Sequence, residues 1–194
     1  MNALTAALVD YWTSLPVRPK SNRLRALAEL RKEIESGDRP PTALLPFALG
    51  DADEDVVFAA SSAWVAVRPD PSAAEAAAMD AVEWVRRGLA INRGAVFAAL
   101  LSRGDESLNG RLNGLRLGFS AGEVETICRH VARRRSAAAE AFLCDWHQLV
   151  QEDAQTGVRD LLARSLSRRR RPHRVPGPWS ATNSRRAASA PTAS

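Results

Sequence analysis

From Pro71 to Pro172 the chain carries no proline, a run of about 100 residues. Proline in a helix interior removes a hydrogen bond and clashes with the preceding turn, at a cost of ~3 kcal/mol or more. A long stretch without it, filled with apolar residues at i, i+3, i+4 and i+7, is built for helices. Ala-rich Ser72 to Arg87 opens this stretch and Gly88 closes that helix. Asn92 can cap a helix carrying Val96, Phe97, Leu100 and Leu101, which Gly104 ends. Asp105 can cap the next, with Leu108, Leu112, Leu115 and Phe119 in phase. Ser120-x-x-Glu123 is a capping box before Val124, Ile127, Cys128 and Val131. Ser136 precedes a helix with Phe142, Leu143, Trp146, Leu149 and Val150. A last helix holds Val158, Leu161, Leu162 and Leu166.

The same period runs upstream. Leu4, Ala7, Leu8, Tyr11, Trp12 and Leu15 form a stripe stopped by Pro16, and Ser21 can cap a helix with Leu24, Leu27, Leu30 and Ile34. Gly37 suits that helix's C-terminal cap. Pro40-Pro41-Thr42 opens a short helix through Leu49. Asp51 or Asp53 can cap a longer one with Val56, Val57, Ala60, Ala63, Trp64 and Val67. Ser72-x-x-Glu75 reads as another capping box. No alternating run is long enough for a strand, so the fold class is all-α.

Periodicity collapses after Leu166. Residues 167–194 hold Arg168, Arg169, Arg170, Arg171, Arg174, Arg185 and Arg186, no acid, and a Pro-Gly-Pro segment. Such a sequence buries too little apolar surface to offset its ordering entropy, which makes it a disordered tail. The expected organisation is a helical domain over 1–166 and an Arg-rich tail over 167–194. The net charge of +5 divides accordingly: residues 1–166 sum to −2 and the tail supplies the basicity. The longest apolar stretch, Val56 to Val67, falls short of the ~20 residues that a membrane span needs. Asp10 interrupts any secretory apolar region. Two cysteines do not form a disulfide framework. A cytoplasmic protein with no membrane span is the resulting expectation.

One stretch is more specific. Leu44-Leu45-Pro46-Phe47-Ala48-Leu49-Gly50-Asp51-Ala52-Asp53-Glu54-Asp55-Val56-Val57-Phe58-Ala59-Ala60 resembles a HEAT repeat, with the likeness extending over about residues 43–67. A Leu-rich helix leads into a Gly-Asp turn, and a second helix opens on acids and a Val followed by spaced alanines. Leu100-Leu101-Ser102-Arg103-Gly104-Asp105-Glu106 is a fainter echo. HEAT-like repeats usually carry Arg after that Val, where this chain has Val57. The two Gly-Asp turns are 54 residues apart, against a repeat of about 40–47. The resemblance implies short antiparallel helical hairpins stacked as an α-solenoid, with a partner bound along one face.

Several residues invite a functional reading. Gly110, Gly114 and Gly118 fall four apart; on one helix they would point away from Leu108, Leu112, Leu115 and Phe119 and leave a shallow groove for a partner. Each interior glycine costs about 1 kcal/mol relative to Ala, so a broken helix is the other reading. Trp84, flanked by Glu83, Arg86 and Arg87, is either core or an exposed binding anchor. Cys128, Cys144 and His147 fall on consecutive helices as potential metal ligands. Three are one short of a closed zinc site, and Cys128 also continues an apolar stripe. His130 is out of phase with Cys128 by ~200° of helix rotation and drops out of that set. Arg168, Arg169, Arg170, Arg171 and Arg174 offer a weak polyanion site, with nucleic acid as one ligand.

The sequence contains no phosphate-binding Gly-x-x-x-x-Gly-Lys loop, no Gly-x-Ser-x-Gly, no His-Glu-x-x-His and no Cys-x-x-Cys. The reading is a non-catalytic protein-interaction or scaffold module that needs no cofactor. A nucleic-acid-associated protein acting through the arginine tail is the alternative.

Overall fold

The computed structural model describes residues 18–66, 70–133, 136–151 and 156–170. The stripe from Leu4 to Leu15, and tail residues 171–194, lie outside the described residues. Within them the chain is helical and contains no strand.

Helix α1 spans Lys20–Ser36. A 3-10 turn over Pro41–Leu44 leads into α2, Leu45–Gly50. Then come α3 (Glu54–Ala66), α4 (Pro71–Arg87) and α5 (Arg93–Arg103). After a broken segment containing α6 (Asn109–Asn113) follow α7 (Ala121–Ala132), α8 (Ala137–Gln151) and α9 (Thr156–Arg170).

The ends follow local chemistry. Gly37 and Gly88 close α1 and α4 with φ of 87° and 65°, a left-handed geometry that costs glycine nothing. At α7 the capping box is complete, with Ser120 and Glu123 satisfying each other's backbone N–H. Asp53 caps α3 by accepting from the N–H groups of Asp55 and Val56 (2.9 and 3.3 Å). Two expected caps are corrected. Pro19, not Ser21, is the residue preceding α1. Asp70, not Ser72, caps α4, accepting the Ser72 N–H at 3.0 Å; Pro71 takes the first helical position, where its missing N–H costs nothing.

Alternate helices pack on one another in sequence: α3 on α5, α5 on α7, α7 on α9. Helices α3 and α5 run parallel. Asn92 at the start of α5 reaches the backbone before α3, and Arg103 at the end of α5 donates to Val65 O near the end of α3. Helix α5 is the centre of the fold, with every residue from Gly94 to Leu101 buried. A helix apolar all round belongs in the interior. Its Phe97 stands among Phe119, Phe142 and Trp146, with ring centroids 4.7–6.0 Å away. Gly94 lets α7 approach: a Cβ there would lie 2.8 Å from Glu123 O.

The continuous helix expected from Asp105 to Phe119 does not form. The chain makes a 3-10 turn at Glu106–Leu108, the five-residue α6, and another 3-10 turn at Arg116–Gly118. Leu108, Leu112 and Phe119 are nevertheless buried. Helix α9 continues to Arg170, past the expected boundary at Leu166.

Candidate interaction surface

The sequence-predicted sites do not converge. Gly110 lies in α6, Gly114 caps it and Gly118 ends a separate 3-10 turn, so the four-residue spacing produces no common helical face. All three are exposed, and a Cβ on Gly110 or Gly118 would meet nothing within 4 Å. This face is open but is not a groove. Trp84 is 7% exposed and is not a surface anchor. It continues the buried Ala77, Ala81 and Val85 stripe and packs on Trp64 at 5.1 Å. Its charged neighbours turn outward, where Glu83 pairs with Arg86 and Arg87; these cations hold the Glu83 carboxyl down at about 2.

Cys128 is buried in the core and Cys144 half-buried, and neither forms a disulfide. Among the described residues no three His, Cys, Asp or Glu side chains gather as metal ligands, so Cys128, Cys144 and His147 do not form a ligand set. Arg168, Arg169 and Arg170 occupy the last turn of α9. Arg171 and Arg174 lie outside the described residues.

A different surface is organised where α3, α5 and α7 begin. The turn from Gly88 to Asn92 is fastened on several sides. The Leu89 N–H donates to Trp84 O at 2.9 Å, and the Ile91 N–H donates to Leu49 O at 3.0 Å. Asn92 Nδ2 donates to Asp51 O and Ala52 O at 3.1 and 2.8 Å. Asn92 precedes α5 as expected, but its side chain serves this cross-link rather than a helix cap. Held this way, the turn presents Leu89 and Ile91 at 43% and 60% exposure. Arg93, next in the chain, forks onto Glu123 at 2.9 and 3.0 Å, donates to Gly118 O at 2.5 Å and lies 4.8 Å from the Phe119 ring centre. This ties α5 to the 3-10 turn that exposes Leu117 at 54%. Burial works against the Glu123 charge, but hydrogen bonds from Arg93 and Ser120 keep its pKa below the ordinary value.

Beside this turn is an ionic network at the start of α3. Asp51 is buried, accepts the Asp53 N–H at 2.8 Å and pairs with Arg23 at 2.8 Å. Asp53 and Asp55 both pair with Lys20 from α1. Asp55 also accepts from Arg133 at 3.0 Å. Glu54 accepts from Thr126 at 2.7 Å and pairs with Arg129. The network joins α1, α3 and α7. The Lys20 hydrogen bond lowers the Asp55 pKa despite partial burial and raises that of Lys20.

His130 sits behind this network and sequence phase does not reveal it. It lies off the Cys128 stripe, yet it is 1% exposed and stacks on Phe58 with centroids 4.3 Å apart. Side chains of α3, chiefly Phe58 and the Glu54–Asp55 acids, meet a second face of α7, which no feature of α7 alone specifies. Leu89 and Ile91 do leave a signal: an aliphatic pair in a turn between two helices, where polar residues are the rule.

No protein-family model, no curated protein and no solved structure matches this chain.

Proposed function

We propose that this chain is a non-catalytic interaction module of HEAT-like helical pairs that binds a partner protein through the end where α3, α5 and α7 begin. The observation that carries this reading is the Gly88–Asn92 turn, braced by backbone and side-chain hydrogen bonds while Leu89 and Ile91 face solvent. Aliphatic side chains on a backbone already held in position spare the cost of ordering that backbone on binding, which leaves more of their burial energy for affinity. The serial packing of α3, α5, α7 and α9 supports the stacked-hairpin reading.

The test is a Leu89→Glu/Ile91→Glu double variant compared with the unaltered chain in quantitative affinity capture. Both side chains are exposed, so the melting temperature should stay within about 2 °C, while at least one reproducible partner is lost. Identical partner profiles would remove this surface from the proposal.

A second reading gains from the length of α9. Its continuation to Arg170 gives the arginine run a helical base on the folded domain. On that reading the tail attracts nucleic acid or another polyanion, independently of the Leu89–Ile91 turn.

A further inference from the structure

We propose that His130 is an acid-sensitive latch, whose protonation releases the C-terminal half of α7 from α3. The imidazole fills a slot suited only to its neutral form. It is 1% exposed, lies flat on Phe58 at 4.3 Å, and neither ring nitrogen has a hydrogen-bond partner among the described residues. Its Nε2 stands 3.8 Å from Asp55 Oδ1, beyond hydrogen-bonding range. That oxygen already accepts from Arg133, and the second Asp55 oxygen is paired with Lys20.

Among the described residues, the charged groups acting on the ring are Asp55 on α3, Arg133 at the C-cap of α7, Arg129 on α7 itself and Lys20 on α1. One carboxylate shared by two other cations cannot neutralise an imidazolium at this position as well. Leaving the slot gives the charge water, at the cost of the Phe58 contact. Buried polar atoms without partners are uncommon in folded proteins. Here they sit where side chains of α7 meet those of the first turns of α3, next to the Thr126, Arg129 and Arg133 contacts with Glu54 and Asp55.

Burial, reinforced by the three cations and opposed by Asp55, pushes the imidazole from its ordinary 6.5 down to about 4. The closed state is therefore favoured fully above pH ~6.5 and loses that preference progressively as pH falls toward ~4. Exchange of the α7 amides around Ile127 to Val131, corrected for intrinsic rates, reads the opening directly in the full chain. From pH 7 to pH 5 the opening equilibrium should rise about twentyfold. His130→Phe keeps a ring against Phe58 without a titrating nitrogen and should abolish the rise. Nuclear magnetic resonance titration of the His130 ring gives a second, independent measurement: it should remain neutral down to about pH 5. An equal pH response in both chains, or a ring titrating near 6.5, overturns the latch.

Discussion

Gly94 shows what a single residue can require without announcing it. In the sequence it is a glycine near the start of an apolar helix, and glycine there costs about 1 kcal/mol relative to alanine. In the fold its missing side chain is the space occupied by the Glu123 backbone, 2.8 Å from where a Cβ would stand. Backbone cannot swing aside as a flexible side chain can, so Gly94→Ala must push α7 away from α5. Overpacking of this kind typically costs 1–3 kcal/mol. We expect a fall of roughly 2–12 °C in melting temperature, using ~2–4 °C per kcal/mol for a domain of this size. Gly122→Ala is the matched control: its Cβ meets nothing within 4 Å on the same helix pair, so the melting temperature should hold or rise slightly. Equal effects by thermal denaturation would show that Gly94 does not set the helix spacing. His130 escapes sequence reading for a related reason. Its burial is imposed by a helix that begins more than 70 residues earlier.

At the scale of elements, the legible parts are those whose pattern is local. The capping box and the Val124, Ile127, Cys128 and Val131 stripe define α7 from its own residues. The segment from Asp105 to Phe119 shows the limit. Its apolar spacing correctly marks Leu108, Leu112 and Phe119 for burial, but Gly110, Gly114 and Gly118 weaken the helix that would carry them together. Burial pattern and backbone conformation are separate demands, and here only the first is met. Trp84 takes the core reading of its two: adjacent charges suggest exposure, but the Ala77–Ala81–Val85 stripe determines burial. The Gly88–Asn92 turn depends on contacts across the fold, chiefly the Asn92 side chain on Asp51 O and Ala52 O. Asn92→Ala removes both hydrogen bonds, each worth about 0.5–1.5 kcal/mol net. A loss of roughly 1–3 kcal/mol in chemical denaturation should accompany weaker partner capture, even with Leu89 and Ile91 intact. Unchanged capture would show that bracing of the turn contributes nothing to binding.

For the whole molecule, the decisive quantity is where charge remains uncompensated. The sequence assigns −2 to residues 1–166 and all the excess basicity to the tail. The structure adds that several arginines on the folded part meet acids: Arg25 with Glu29, Arg31 with Glu35, Arg93 with Glu123, Arg129 with Glu54 and Arg133 with Asp55. A phosphate approaching these groups competes with a carboxylate already in place, whereas the tail contains no acid to compete. Polyanion binding, on the second functional reading, therefore belongs to Arg168, Arg169, Arg170, Arg171 and Arg174. Replacing these arginines with Gln in the full chain should weaken binding to single-stranded DNA and flatten its salt dependence. Every phosphate that goes unneutralised takes about 0.7 off the log–log slope, so the slope should shrink by up to about 3.5. The paired charges of the fold predict no change in melting temperature beyond about 2 °C for the same variant. An unchanged slope would move polyanion binding onto the helical domain. Loss of the Leu89–Ile91 partner in this variant would show instead that the two halves bind as one surface.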